Sequence, residues 1–146
     1  MTNSVKIIPE EITLFHIDIL ESSIKDVSDK KQGEFNINVA HSTMHNLNDQ
    51  RVKIGLFIDL STKNNPNGGK ANFRIDFHFH INNLNNFYEL KQDKQPVFSW
   101  LLIATLLGLS FSTARGIIFE RLSNTNLKHI ILPVVDPKNM MPLQKK

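Results

Sequence analysis

Acidic and imidazole side chains that could bind a metal ion alternate along the stretch FRIDFHFHI, residues 73–81. Asp76, His78 and His80 are spaced two residues apart, so on a β-strand they point to the same side. Carboxylate and imidazole groups are ligands for zinc and other divalent ions. Arg74 shares that side, however, and its positive charge opposes a bound cation. We therefore interpret this side as the solvated face of a half-buried sheet and predict no metal site.

Motifs that indicate an enzyme are absent from the sequence. There is no G-x-S-x-G nucleophile elbow, no P-loop and no H-E-x-x-H zinc motif. The loop KNNPNGGK, residues 63–70, lacks the P-loop order of glycines and lysine. Because the chain has no cysteine, it offers neither a disulfide framework nor a thiolate metal site. We predict a protein that is not an enzyme and uses no cofactor.

Composition and charge indicate a single soluble domain over residues 1–146, with flexible ends at 1–11 and 138–146. Hydrophobic residues make up 40% of the chain and charged residues 21%, which is ordinary for a globular protein. The formal charge of +3 arises from lysines that follow Leu122, so the body is neutral and nucleic-acid binding is not expected. The longest apolar stretch, 97–111, is shorter than the ~20 residues that span a bilayer. With no apolar run of signal-peptide type, we expect a cytoplasmic protein without membrane insertion.

Four segments in the first half alternate apolar and polar residues, which predicts β-strands. In the first of them, Phe15, Ile17 and Ile19 are expected on the apolar face. Short loops between the later strands predict antiparallel neighbours, whereas the longer connection after the first strand allows a crossover. The segments span residues 12–24, 35–45, 51–60 and 73–81.

A helical pattern follows a polar connector and covers residues 97–123. Small residues recur there every four positions, which lets the sheet or the helix of a second subunit approach closely, unless the recurrence is a coincidence of composition. Pro133 and Pro137 then predict an extended leg with at most a short final helix. The small residues are Ala104, Gly108, Ser112 and Gly116.

The predicted helix is apolar around nearly its whole circumference, from Trp100 to Phe111. Such a helix requires burial on all sides, whereas one sheet covers one side only. The predicted fold class is therefore α+β: a four-stranded antiparallel sheet, one long helix and a short C-terminal leg, assembling as a homo-oligomer with helices between sheets.

Three strings, in this order along the chain, resemble the SecB family of export chaperones and its SecB-like relatives. IKDVS, residues 24–28, resembles the family's lysine–aspartate signature at the end of the first strand. NLNDQRVKIGLFIDLST, residues 46–62, resembles its turn and third strand. STARGIIFERLSNTNLKHIILPVVDP, residues 112–137, resembles the end of its helix and its leucine–proline–valine leg.

The resemblance implies a homotetramer, built as a dimer of dimers, that binds unfolded or partly folded polypeptides in apolar grooves without a nucleotide. It also implies docking of the SecA motor on the exposed sheet through acids that match Asp26 and Asp76. Lys30 and Arg74 depart from the family's pattern and weigh against SecA as the partner. We predict that clients contact an apolar set, each member of which also suits an ordinary core: Val27, Phe35, Ile37, Val39, Val134, Val135, Met140 and Met141.

Two alternative functions stay open at the level of sequence. The first is a chaperone dedicated to one client, for instance an antitoxin or a mobile-element protein. The second is an adaptor or structural protein that keeps the fold and binds one partner through the polar sheet face.

Overall fold

The structure, a computed structural model, describes residues 6–27, 34–65 and 67–140, apart from the side chains of Lys138 and Met140. The predicted client contact Met141 and the departure at Lys30 lie outside the described residues. That the chain is one domain with flexible ends stays a prediction.

Four antiparallel strands form the main sheet, which confirms the predicted α+β class. Strand order β1-β4-β3-β2 places β1 and β2 at opposite edges, so the chain between them crosses the sheet, as the length of that connection allows. The two short connections join neighbouring antiparallel strands, as predicted. The strands are β1 (Ile12–Lys25), β2 (Phe35–Asn46), β3 (Arg51–Thr62) and β4 (Lys70–Ile81).

One face of this sheet is the centre of the core. Alternate side chains of β3 and β4 are fully buried, while the residues between them lie on the outer, polar face. Large aliphatic and aromatic groups fill the buried positions, which gives the core its apolar contact area. These side chains include Ile54, Leu56, Ile58, Ile75, Phe77 and Phe79.

Two irregularities in β1 change which side chains face the core. The register with β4 shifts between Leu14 and His16 and again between Ile19 and Glu21. A bulge adds one residue and moves the following side chains to the other face. The predicted placement of Phe15 on the apolar face is therefore wrong: its ring lies on the outer face, 6.0 Å from the ring of His78.

The predicted polar connector, residues 82–96, contains regular structure. A 3-10 helix, Leu84–Phe87, is followed by a small hairpin of β5 (Tyr88–Leu90) and β6 (Pro96–Phe98). Leu84 and Phe87 are buried in the core cluster, and the ring of Phe98 lies 5.6 Å from that of His45 on β2. Polar residues outnumber these apolar anchors, which is why the pattern resembled a loop.

Helix α1, Trp100–Leu122, begins where the hydroxyl of Ser99 accepts a hydrogen bond from the Leu101 amide at 3.2 Å. By length and composition this helix could cross a bilayer. One side of it packs into the core formed with the sheet. That buried side consists of Leu102, Leu106, Leu107, Ser110, Phe111, Ala114, Ile118 and Leu122.

The other side of α1 leaves large apolar side chains exposed. Leu109 is 45% exposed and Phe119 50%. On the stripe of small residues, a side chain at Gly108 would meet Pro137 at 3.3 Å, whereas one at Gly116 would meet no described residue within 4 Å. The expected neighbour of the stripe was the sheet or another helix; at Gly108 it is instead the chain's own leg.

The leg is extended, as the two prolines predicted, and it folds back along the helix. After α1 the chain has turns and then no regular structure through Asp136, and the last described residues form a 3-10 helix, Pro137–Met140. Leu127, Ile130 and Leu132 are buried in the core cluster, which fixes the leg against the sheet and helix.

Candidate functional site

The outer sheet face does not bring Asp76, His78 and His80 together as one ligand set. Asp76 pairs with Lys53, whose Nζ lies 3.5 Å from its Oδ2. The Nε2 of His78 lies 3.3 Å from Asp18 of the neighbouring strand. Within the described residues, no group of three or more His, Asp or Glu side chains could hold a metal ion. Asp76 and His78 therefore contact different side chains on neighbouring strands.

Asp18 lies between two histidines, His16 of its own strand and His78 of β4. Its pKa is lowered, first because the Nε2 of His16 makes a 2.8 Å hydrogen bond to its Oδ1, and also through the imidazole of His78. Partial desolvation acts in the opposite direction and is outweighed. The carboxylate is therefore ionised at neutral pH. Its contacts with the two histidines stabilise the folded chain there, and this stabilisation is lost as the pH falls through the lowered pKa of Asp18.

Arginines cover two aromatic rings on the same outer face. The guanidinium of Arg51 lies 4.9 Å from the centre of the Phe15 ring, and that of Arg74 lies 4.8 Å from the centre of the Phe57 ring. These distances are within the range of cation–π attraction. Together with Lys53 they make the face mixed in charge, in contrast to the acidic docking face that the resemblance implied.

The carboxylate of Asp26 joins the end of β1 to the beginning of the leg. Its Oδ1 accepts hydrogen bonds from the amides of Val27, at 2.9 Å, and Asn126, at 3.0 Å. The side-chain amide of Asn126 in turn donates to the carbonyl of Val27. Asp26 therefore has a structural role, and its predicted role in docking a partner stays a prediction.

We expect Asp26→Ala to lower the free energy of unfolding by about 1 kcal/mol, because both amides lose a charged acceptor while remaining accessible to water. Urea denaturation measures the change. Asp59→Ala is the matched control, since Asp59 is an exposed aspartate of β3 with no hydrogen bond or ion pair recorded among the described residues. Equal stability of the two variants would contradict the structural role of Asp26.

The predicted client contacts Phe35, Ile37 and Val39 form one row on β2. All three are partly buried against the core cluster, on the same face as the buried side chains of β3. The ring of Phe35 lies 5.6 Å from that of His129 in the leg. The row therefore runs along one edge of the sheet and contacts the leg at its first residue.

The leg contributes the most exposed apolar side chain among the described residues. Val134 is 85% exposed, whereas the neighbouring Val135 packs partly against the core. Ile131 is 63% exposed and was missed by the sequence interpretation. The sequence carried no signal for it, because residues 130–132 are all apolar and only the structure shows Ile131 exposed between the buried Ile130 and Leu132.

Contacts through the leg connect several of the predicted residues. Val27 is joined to the leg by Asn126, and Phe35 by His129. Val134 lies further along the same segment. We use the name client surface for the β2 row of Phe35, Ile37 and Val39 together with Val27, Ile131, Val134 and Val135.

A separate apolar cleft of about 370 Å³ lies between β1 and α1. It is partly formed by residues that were expected to be flexible, among them Ile7 and Pro9. Glu11 connects this segment to the sheet, because its carbonyl accepts a hydrogen bond from the Asn82 amide at 2.9 Å. The cleft is lined by Ile7, Pro9, Ile12, Leu14, Phe79, Thr105, Leu109 and Thr113.

This combination of an antiparallel sheet with a crossover, one long helix and a folded-back leg is the fold of SecB-like chaperones. The chain is similar to Rv1957 of Mycobacterium tuberculosis, a SecB-like chaperone whose structure was solved in complex with a ChAD peptide from the antitoxin HigA1, Rv1956. The TM-score is 0.62 at 11% identity, over 86% of this chain and 91% of the other. Neither a protein-family model nor a curated protein matches the sequence. The likeness therefore establishes the fold.

Proposed function

We propose that this protein is a chaperone that binds non-native polypeptides at the client surface without a nucleotide. The observation that carries the proposal is the apolar leg, anchored by Leu127 and Ile130 yet exposing Ile131 and Val134 to solvent. A fold shared with a SecB-like chaperone that was solved with a bound peptide supports the same function.

The physical basis is the burial of apolar surface. Unfolded chains expose apolar side chains that a native protein hides, and removing such surface from water contributes about 25 cal/mol per Å². Val134 and Ile131 supply surface of this kind at little cost, because they are already fixed in position by a packed backbone. A non-enzymatic holding function needs no catalytic group.

Assembly of copies is part of the proposal. The exposed apolar side of α1 and the cleft beside β1 remain uncovered by the chain's own sheet. Burying both against further copies, in a dimer of dimers, would place helices between sheets. Sedimentation at micromolar protein concentration tests this arrangement, and a stable monomer would exclude it.

Suppression of aggregation tests the chaperone function directly. A chemically denatured enzyme is diluted into buffer with and without the protein, and light scattering is followed in the absence of nucleotide. We expect scattering to be abolished near one assembly per denatured chain. Scattering equal to that with an equal mass of serum albumin would contradict the proposal.

A chaperone dedicated to one client is the second candidate function. It is favoured by the similar protein, which was solved with a peptide from one antitoxin. A dedicated chaperone would bind one protein of its own cells in stoichiometric amount and would leave a generic denatured enzyme unprotected. The aggregation assay therefore separates the two candidates.

Docking of a SecA-type motor through Asp26 and Asp76 is a further proposal. Asp76 already pairs with Lys53, and Asp26 holds the leg, so a basic partner would have to replace these contacts. Binding of SecA to Asp76→Lys checks the idea. Unchanged affinity would exclude a contact at Asp76.

A further inference from the structure

The hydrogen bonds between β2 and β3 determine which backbone amides and carbonyls of β2 point away from the sheet. The Lys63 amide donates to the Glu34 carbonyl at 2.7 Å, so these residues form a hydrogen-bonded pair. In an antiparallel ladder the bonded pairs alternate. Asn36 and Asn38 therefore bond to β3, whereas the amides and carbonyls of the odd-numbered residues point away from the sheet.

The other side of β3 supports the same assignment. The Thr62 amide donates to the Gly69 carbonyl at 3.2 Å, so even-numbered residues of β3 bond to β4. The backbone groups of the odd-numbered residues of β3 then bond to β2, which agrees with the Glu34–Lys63 pair. Among the described residues, β3 is the only strand that pairs with β2.

The two edges of the sheet differ in how they are protected. β1 has two bulges and charged residues such as Asp18, Glu21 and Lys25. β2 pairs over its whole length without a register shift, and it contains no Asp, Glu, Lys, Arg or Pro. Natural proteins usually blunt an edge with charges, prolines or bulges, because an open edge accepts another strand. β2 therefore combines a long regular edge with none of these devices.

We propose that the outer edge of β2 accepts an extended segment of a non-native polypeptide as a fifth strand of the sheet. The outward amides and carbonyls of Phe35, Ile37 and Val39 would bond to the segment's backbone. Their partly buried side chains would contact apolar residues at every second position of the segment. This inference rests on the proposed chaperone function and specifies how the client is held.

A second copy of β2 fits this edge less well than a client does. The core-facing row is apolar at its start, with Phe35, Ile37 and Val39, and polar at its end, with Thr43 and His45. A two-fold axis makes the paired copies antiparallel, and pairing over the whole strand would then place the apolar half of each copy opposite the polar half of the other. A client segment whose apolar residues lie opposite Phe35, Ile37 and Val39 has no such mismatch.

Hydrogen exchange of the β2 amides measures the predicted alternation. The probe is a peptide of about ten residues that alternates valine with threonine and ends in lysines, at saturating concentration. We expect exchange at Phe35, Ile37 and Val39 to slow about tenfold or more when the peptide binds, because these amides gain a partner. The amides of Asn36 and Asn38 should be slow with and without peptide. Peptide binding with uniform or no change along β2 would overturn the inference and leave the chaperone function standing.

Backbone methylation of the same peptide tests the bonds from the client's side. In strand addition, methylating every second peptide nitrogen weakens binding about tenfold, and methylating the nitrogens between them has little effect. If the affinity depends only on the valine side chains and not on which nitrogens are methylated, strand addition is overturned. No binding of any peptide, with no suppression of aggregation, would overturn both the inference and the proposed function.

Thr43→Pro tests strand addition from the side of the protein, by removing one outward amide of β2. Thr43 is exposed and odd-numbered, so proline removes one outward amide and leaves the ladder to β3 intact. Thr43→Ala keeps the amide and is the matched control. We expect the proline variant alone to lose affinity for a client long enough to reach position 43. If the proline variant instead changes the sedimenting mass, the edge joins two copies and the inference is wrong.

Discussion

Truncation of Leu127 to alanine is expected to lower the free energy of unfolding by about 3 kcal/mol, because it empties a fully buried site at the beginning of the leg. Its neighbour is Gly69, at which an added Cβ would lie 2.6 Å from the Cδ2 of Leu127. Gly69→Ala should therefore also be destabilising, by about 1–3 kcal/mol, through overpacking.

The double variant Gly69→Ala/Leu127→Ala makes the prediction sharper. The methyl group added at Gly69 occupies part of the space that the truncated leucine leaves, so the double variant should lose less stability than the sum of the single variants. Urea denaturation of the four proteins gives the coupling energy. Additive losses would show that the two side chains do not share this space.

Gly116→Ala is the matched glycine control. A Cβ at Gly116 would meet none of the residues that the structure describes within 4 Å, and alanine favours the helix by about 1 kcal/mol over glycine. We therefore expect Gly116→Ala to raise the free energy of unfolding and Gly69→Ala to lower it. The contrast separates the steric effect of the leg from the general effect of replacing glycine.

Replacing Ile131 and Val134 by serine is expected to weaken client binding about 100-fold, the largest functional effect that we predict. Burial of each side chain in a complex contributes roughly 1.5 kcal/mol, which corresponds to about tenfold in affinity. Both side chains are mostly exposed in the folded chain, so the free energy of unfolding should change little. Binding of a labelled, unfolded client, measured by fluorescence anisotropy, gives the affinity.

The hairpin offers a matched pair of control substitutions. Leu90 is 58% exposed and Val97 is 50% exposed, and both lie outside the client surface. Serine at these two positions should leave the affinity within about threefold of the original, which is below 1 kcal/mol. Equal losses in the leg and hairpin pairs would indicate that any exposed apolar group binds clients, and that the leg has no special part.

Periodicity alone located the strands and the helix, since burial of one face imposes a period of two on a strand and about 3.6 on a helix. It placed Phe35, Ile37 and Val39 on a common face, as the structure has them. It placed Phe15 on the wrong face, because a bulge depends on the pairing with β4 and leaves no mark in the pattern of one strand.

The candidate site was predictable in its residue types and less so in its arrangement. Asp76 and His78 share a face, as their spacing requires, but Lys53 and Asp18 on neighbouring strands decide what each of them contacts. For the same reason, the position of Asp26 in the sequence could not reveal that its carboxylate accepts a hydrogen bond from the amide of Asn126 in the leg.

The sequence by itself determined the α+β class, the four strands, the long helix and the excess of apolar surface, because each of these is a property of local pattern and composition. Only the tertiary structure decided that the leg folds back past Gly69 to Gly108, that Ile131 and Val134 remain exposed, and that β2 is an edge strand among the residues the structure describes. These features depend on contacts between residues far apart in the chain. No local pattern specifies which strand is left without a neighbour.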